Sequence, residues 1–428
     1  MNKLYKTAII GGGAAGLFAA LLLTTGENAF KGDDVVILER SDRVGKKLLA
    51  TGNGQGNLTN RSLSADNYYG DKSFIKTFFD GISGVSLTEK LEDLGVPVMF
   101  DRTGRGYPVS KQANAVVDAF RCGLNKKGVK IITNAYVYDI KKETEGFSLF
   151  YNYTDCKNKK EDKNSQLNKS FISADSVICA FGGKSGGIYG TDGTSYGLLE
   201  KFGHDITALY PSLVQIKTET GKIKPLKGIK EDAVVAAYDG ESFIKSAKGE
   251  ILFTEYGVSG PAVFQVSGHL SRCKNPKIVI EFLPDYSLSQ TTELINKRIK
   301  AAAFSEENEV LSGLLKKRTG QVIADSVKNK SPEKLAEAIK NFSLKVTGST
   351  GFANSQVTKG GISTDRINPI TMESKLMRGV YAAGELLNVD GDCGGYNLTF
   401  AFLSAYAAVC AIKNKTVERI SGLKQNKV

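Results

Sequence analysis

Hydrophobic positions open this chain with two short unbroken runs. Lys6 to Ile10 reads as a strand, and Val35-Val36-Ile37-Leu38 is a second apolar run that stops at Glu39. Unbroken runs of this length suit strands buried on both faces. Between them Gly11-Gly12-Gly13-Ala14-Ala15-Gly16 leads into apolar Leu17 to Leu23, which reads as a helix. Strand, glycine turn, helix, strand and acid in that order predict the start of a dinucleotide-binding α/β unit. Beyond Asn60 the spacing turns helical over Ser73 to Phe79, Leu87 to Leu94 and Ala113 to Lys126. Val129 to Asn134, Ala135 to Lys141 and Phe147 to Tyr153 read as strands of a small meander. Asp155 to Ser170, rich in Lys, Asn and Asp, reads as a solvated hairpin tip. Ala174 to Ala180 is another buried strand, running straight into Phe181-Gly182-Gly183-Lys184.

The pattern changes after His204. From Ile206 to about Tyr286, strand runs such as Ala233 to Tyr238 and Lys277 to Phe282 alternate with turns. Ser287 to Asn341 is helical and charged, and Phe342 to Gly361 returns to strand-like sequence. Gly379 to Ile412 holds one strand, a glycine-rich loop and a long apolar helix, and no internal repeat is visible. The simplest architecture is a nucleotide-binding domain split by an inserted β domain, with a helical piece inside the insert.

Composition narrows the function classes. An apolar fraction of 41% and a charged fraction of 24% belong to a globular protein. The N-terminal apolar stretch, Ala14 to Leu23, is too short to span a bilayer, and no basic leader precedes the first strand. Neither a secretory signal nor a membrane anchor is expected. Six cysteines without a CxxC pair argue against zinc and against a disulfide framework, and with only two histidines no metal site is expected. Reduced thiols in the cytoplasm are the simple reading. The net charge of +12 attracts anions, either through a generally lysine-rich surface or through a face for RNA.

The chemistry concentrates in glycine-rich segments. Gly11, Gly13 and Gly16 form GxGxxG: the first permits the turn, the second lets backbone approach a pyrophosphate, and the third lets helix and strand pack closely. Ala14 and Ala15 open the helix, whose N-terminus favours phosphate. Glu39, followed by Arg40, can accept hydrogen bonds from ribose hydroxyls. Gly45 to Asn57 follows, with Thr51, Gly52, Asn53, Gly54 and Asn57 lining a backbone-rich loop. Lys46 and Lys47 there either neutralise a phosphate or a flavin ring, or are solvated lysines of a flexible loop. Gly182 and Gly183 follow a buried strand in the same manner. Gly384 and Glu385 end the last strand, and Asp392-Cys393-Gly394-Gly395-Tyr396-Asn397 leads into the closing helix. Glu385 can bind ribityl hydroxyls, and the Gly394-Gly395 amides at a helix N-terminus suit negative charge on a reduced flavin. Cys393 is either a redox or acid group or a small packing residue.

These segments resemble the BaiN/RdsA (YhiN-type) flavoproteins. The resemblance is carried by Gly11 to Gly16 with Glu39, by Lys47 to Gly54, by Gly104 to Ser110 and by Phe253 to Ala262. Its most specific blocks are Lys359 to Ser363, Asn368 to Ser374 and Gly384 to Asn397, so it runs nearly end to end. The chain departs from the common pattern at Gln55-Gly56, where Arg-Cys is usual; a cation and a thiol are thereby missing. The resemblance implies an α/β Rossmann-type FAD-binding domain with an inserted β-barrel domain and a small helical subdomain. Expected boundaries are residues 1–205 and 346–428 for the FAD domain, 206–286 and 342–360 for the barrel, with an overlap, and 287–341 for the helical piece. It also implies non-covalent FAD reduced by NAD(P)H. Within the family one type reduces conjugated C=C bonds of 3-oxo bile acids, another reduces a uridine of large-subunit ribosomal RNA to dihydrouridine, and a third is an aminoacetone oxidase. Reducing an enone or a uracil requires a group that polarises the carbonyl and a group that delivers a proton. Arg105, Tyr107, Tyr256, Cys393 and Tyr396 are the candidates. Arg105 serves equally as a phosphate clamp, and each tyrosine serves equally as a packing residue with a satisfied hydroxyl. A flavoprotein that binds RNA without turnover is the remaining alternative.

Overall fold

Leu4–Ile10 lies at the centre of a seven-stranded sheet. Val35–Leu38 and then Lys130–Ile132 pair parallel on one side of it, and Asn168–Cys179 and then Val380–Ala382 on the other. Numbered along the chain, these five strands run 3-2-1-4-5, the Rossmann order. The order reverses between Leu4–Ile10 and Asn168–Cys179, so the crevice at their carboxyl ends is where such a fold binds its ligand. Asn168–Cys179 divides its pairing: Val177 to Cys179 join Val380–Ala382, while Asn168 to Ala174 pair antiparallel with Phe147–Tyr153. Lys130–Ile132 therefore belongs to the parallel sheet, not to the meander. Asn134, at φ 53°, turns the chain before Ala135–Lys142 begins, a conformation that Asn tolerates better than most residues.

The structure is a computed structural model that describes residues 3–153, 168–301 and 306–425, with side chains to residue 416. The expected hairpin tip lies mostly outside the described residues; its last residues, from Asn168, begin the long strand. Two units separate. The first is Met1–Leu209 with Val357–Val428, and the second is Tyr210–Gln356.

In the first unit Ala14–Leu23 is apolar all round because both its sides are covered. The sheet lies against one, and the closing helix Tyr396–Gln425 lies against the other, with Phe18 and Phe402 rings 5.0 Å apart. Full burial of a side chain such as Leu17 stabilises by roughly 1.5–3 kcal/mol. The closing helix is apolar and long enough to cross a bilayer, but 67% of that stretch is buried in the core. Lys72–Gly81, Leu87–Asp93 and Ala113–Lys127 are helices, as their spacing predicts. Between them lie short strands that the helical reading passed over. Thr59–Asn60, Arg105–Pro108 and Val98–Phe100 make one small sheet, and Tyr68–Gly70 pairs with Val389–Gly391. Runs of two to four residues are too short for alternation to show.

The second unit is a closed six-stranded barrel of Ile216–Thr218, Gly257–Ser259, Ser242–Phe253, Lys230–Asp239, Pro276–Phe282 and Phe342–Ser349. Phe342–Ser349 closes it by pairing with both Pro276–Phe282 and Ile216–Thr218, so it belongs to the barrel. Val357–Lys359 belongs to the first unit, and the borders fall at residues 209/210 and 356/357 in place of the overlapping ones expected. Helices Leu288–Lys300, Lys317–Ser326 and Pro332–Lys340 share one core with the barrel: Ile295, Ile323 and Leu335 pack in the same cluster as Ile280 and Phe282. Pro261–Leu270 is a helix where only strands and turns were expected. Gly260 at φ 107° turns the chain, and Pro261 at the first helical position starts it.

One buried titratable group makes the fold sensitive to pH. His204 is buried, with Nε2 2.7 Å from Ser374 Oγ, which already accepts the N–H groups of Leu376 and Met377. The Ser374 proton therefore points to Nε2, and the imidazole is neutral. Burial pushes its pKa below the usual 6.5, against the opposing pull of Asp205. The unfolded chain takes up a proton that the folded one refuses, so stability falls as pH drops from 6.5 through the lowered folded value. Denaturation midpoints measured between neutral and mildly acidic pH should show this loss, and His204→Gln should flatten it. An unchanged slope in the variant would refute the assignment.

Candidate active site

The crevice is built on three glycines with different duties. A Cβ on Gly11, which sits at φ 106°, would lie 2.4 Å from the Ala180 carbonyl oxygen, and one on Gly16 would lie 1.9 Å from that of Gly11. Both are required by packing. A Cβ on Gly13 would meet nothing within 4 Å. Gly13 is the N-cap of Ala14–Leu23 and supplies no side-chain cap, so the helix presents bare N–H groups, including those of Ala14 and Ala15, to open space. Glu39 is fixed beside this turn: its Oε2 accepts the Gly12 N–H and its Oε1 the Ser41 N–H, both at 2.7 Å. Each oxygen keeps a lone pair for a further hydroxyl. Arg40 points elsewhere, to Asp192 at 2.6 Å and over the Tyr136 ring.

The two lysines separate. Lys46 pairs with exposed Asp42, whereas Lys47 reaches Glu385 Oε2 at 2.5 Å, half-buried on both sides. Glu385 Oε1 accepts the Thr358 N–H at 3.0 Å. A Cβ on Gly183 would lie 2.5 Å from Thr358 Oγ1 and 2.8 Å from Glu385 Oε1, so the loop after Asn168–Cys179 closes onto this acid. Gly182, at φ 77°, faces Thr191. Tyr196 stands beside the same acid. It is buried, and its hydroxyl has no hydrogen-bond partner. Burial, and then the Glu385 charge, push its phenol well above the usual value. Nothing in the sequence singled out Tyr196.

Gly52, Asn53 and Gly54 are successive left-handed residues, followed by Gly56 at φ 75°. Such turns gather backbone N–H groups into an anion-binding concavity. Gly56, where the resembling family carries Cys, would place a Cβ 3.1 Å from Ala113 Cα. Thr51 Oγ1 donates to the Leu48 carbonyl. The Asn57 amide, oriented to satisfy its neighbours, donates to the Thr59 and Gly106 carbonyls and accepts the Gly395 N–H at 3.1 Å. This loop and the late double glycine are thus tied together.

The double glycine is equally enclosed. A Cβ on Gly395, at φ 99°, would lie 2.2 Å from the Thr59 carbonyl oxygen. Asn60 Nδ2 donates to the Gly394 carbonyl at 2.9 Å. A Cβ on Gly394 would lie 3.5 Å from Arg105 Nε. Arg105 is half-buried, and among the described residues its guanidinium makes no ion pair. It bears on Cys393 and Tyr396: burial raises both pKa values and the Arg105 charge opposes the rise. Both stay protonated at neutral pH. Tyr107, two residues along the strand from Arg105, packs beside Gly52. Asp392 accepts the Tyr69 hydroxyl at 2.7 Å. Asn397 spends its amide on its own loop, at the Gly391 N–H and carbonyl and the Asp392 carbonyl. Arg105, Tyr107, Cys393 and Tyr396 therefore gather around one loop. Tyr256 belongs to the second unit, in the turn between Ser242–Phe253 and Gly257–Ser259.

Gly384 links the two glycine sites. A Cβ there would lie 3.4 Å from Ala15 Cβ and 3.5 Å from Ala401 Cβ. Ala401 follows Gly395 by six residues, about 9 Å along a helix at 1.5 Å per residue. One extended dinucleotide spans from Gly13 to Gly395. The open N-terminus at Gly13, the fixed Glu39 acid and the unpartnered Tyr196 hydroxyl all fit FAD, which needs phosphate, ribose and polar side-chain partners in that region.

Fold and site define a Rossmann-type FAD-dependent oxidoreductase. The model of the HI0933-like protein Rossmann domain matches residues 5–411, and the chain belongs to the HI0933-like family. It is 33% identical over 425 residues to the 3-dehydro-bile acid delta(4,6)-reductase of Clostridium scindens, covering 95% of this chain and 98% of that one. It is 28% identical to the ribosomal RNA dihydrouridine synthase of Haemophilus influenzae, covering 97% and 100%. These relatives bear out the resemblance read from the glycine-rich segments. Among solved structures, the 3-ketosteroid-delta4-(5alpha)-dehydrogenase of Rhodococcus jostii RHA1 aligns with a TM-score of 0.50 at 15% identity, covering 96% and 100%, and shares the fold.

Proposed function

We propose that the chain uses NAD(P)H, through FAD, to reduce a C=C bond conjugated to a carbonyl. The observation that carries this reading is the half-buried Arg105 guanidinium with protonated Cys393 and Tyr396 beside Gly394. Bound FAD supplies a hydride from its reduced ring. The chain supplies the rest. Glu39, the Gly11–Gly16 turn and the helix start hold the adenosine and pyrophosphate, and Lys47 and Glu385 border the middle of the cofactor. First-turn N–H groups of the closing helix, with Gly394 and Gly395, favour negative charge where the ring sits. Arg105 polarises the substrate carbonyl, and Cys393 or Tyr396 delivers the proton to the α carbon as the β carbon takes the hydride. Tyr107 borders this space, and Tyr256 is assigned to the substrate from the second unit.

Both relatives' printed substrates support this chemistry, because a dehydro bile acid and a uridine each place C=C beside C=O. The substrate is accordingly a small enone or an RNA uridine, and the net charge of +12 suits an anionic one. All five cysteines placed among the described residues are free, which suits a reducing cytoplasm. The test is anaerobic. The chain is loaded with FAD, reduced with NADH or NADPH, and mixed with a conjugated 3-oxosteroid or with ribosomal RNA. One of the two should reoxidise the flavin and emerge saturated at the C=C bond. A flavin that both leave reduced, but that oxygen and an aminoketone turn over with peroxide release, would replace the reductase by an oxidase.

A further inference from the structure

The Tyr196 hydroxyl is the one polar atom of the crevice that the described chain leaves without a partner while burying it completely. A buried hydroxyl left unsatisfied costs about 1–3 kcal/mol. Such a cost persists in a fold when something outside the chain relieves it. The surroundings of Tyr196 say what that is. Its ring packs edge-on against Phe181, the residue that follows Ala180 into Gly182-Gly183, at 6.2 Å between centroids. Its hydroxyl feels the Glu385 carboxylate, whose two oxygens are held by Lys47 and by the Thr358 N–H. Thr358 Oγ1 is itself taken by the N–H groups of Lys184 and Ser185 and lies 3.1 Å from Ser185 Oγ. The network around the phenol is complete and leaves out only the phenol.

We infer that Tyr196 is a positioning residue for the cofactor, whose hydroxyl donates a hydrogen bond to an accepting oxygen of bound FAD next to Glu385. The inference rests on the FAD reading above and adds a residue to it. Held neutral by burial and by the neighbouring carboxylate, the phenol is a donor across the whole physiological range. Preorganised in the empty protein, it costs little further entropy when the cofactor arrives.

The inference predicts opposite effects on the two forms of the protein, and Tyr196→Phe reads both. The variant removes the hydroxyl and keeps the ring against Phe181. Without cofactor, its unfolding midpoint should equal or exceed that of the parent, because no hydrogen bond is lost and a buried polar atom is removed. With cofactor, its FAD affinity, measured by quenching of flavin fluorescence, should fall about tenfold. The stabilisation conferred by a fixed excess of FAD should shrink accordingly. Unchanged affinity would overturn the inference. So would a destabilised cofactor-free variant, since the hydroxyl would then have a partner within the chain. A parent protein that takes up no flavin would overturn the cofactor reading itself, and this inference with it; a parent that binds as well as the variant refutes Tyr196 alone.

Discussion

Gly13→Asp is expected to abolish FAD binding while leaving the protein folded. Most substitutions in a glycine turn confuse these effects, because the added side chain also disrupts packing. Here the position is open: a Cβ on Gly13 meets nothing within 4 Å, and its backbone, at φ −83° and ψ −165°, is extended and suits any residue. Asp is moreover a good N-cap, so the cofactor-free variant should match or exceed the parent by a few tenths of a kcal/mol. Its carboxylate, however, occupies the place of the pyrophosphate. Like charges about 4 Å apart repel by about 4 kcal/mol at an effective dielectric of about 20. That is roughly a thousandfold in affinity. Thermal unfolding without FAD and fluorescence titration with it check the two halves. A variant that binds FAD as the parent does would place the pyrophosphate elsewhere. Gly16→Ala provides the contrast, since its Cβ would lie 1.9 Å from the Gly11 carbonyl oxygen and should damage the fold itself.

The second large effect concerns the reacting end. Arg105→Met keeps much of the side chain's length and removes its charge. The oxidative half-reaction, in which reduced flavin passes electrons to the C=C substrate, should slow by about 10²–10³-fold, the usual loss when one group that stabilises developing negative charge is removed. Cofactor affinity should stay within about twofold, and reduction by NAD(P)H should be unaffected. The Cys393 and Tyr396 pKa values should climb further, because the Arg105 charge is what opposes their rise. Stopped-flow absorbance resolves the two half-reactions. If both slow equally, Arg105 holds phosphate, and its assignment to the substrate carbonyl fails.

The parts of this site that could be read from sequence are those whose signal is local. Gly11, Gly13 and Gly16 stand at fixed spacing between a strand and a helix, and Glu39 ends the next strand, so one short segment carries the whole inference. The Gly384-to-Asn397 block was readable for the same reason. What escaped depends on distance along the chain. Lys47 and Glu385 meet across 338 residues, and Asn60 meets Gly394 across 334. Nothing in either segment announces the partner. Tyr196 is one tyrosine in a loop, distinguished only by an unmet hydrogen bond that exists in three dimensions. The short strands Thr59–Asn60 and Tyr68–Gly70 shape the floor under the double glycine, yet too few residues form them for any periodicity to emerge. Pro261–Leu270 was missed because its apolar run, read one residue at a time, is equally suited to a buried strand.

The whole account depends on one adenine dinucleotide lying from the start of the first helix to the loop that precedes the last. Denaturing the purified protein and measuring what it releases tests this most directly. One FAD per chain, set free without proteolysis, is the expected result. A preparation that is colourless, stays so after incubation with FAD, and releases none would contradict it.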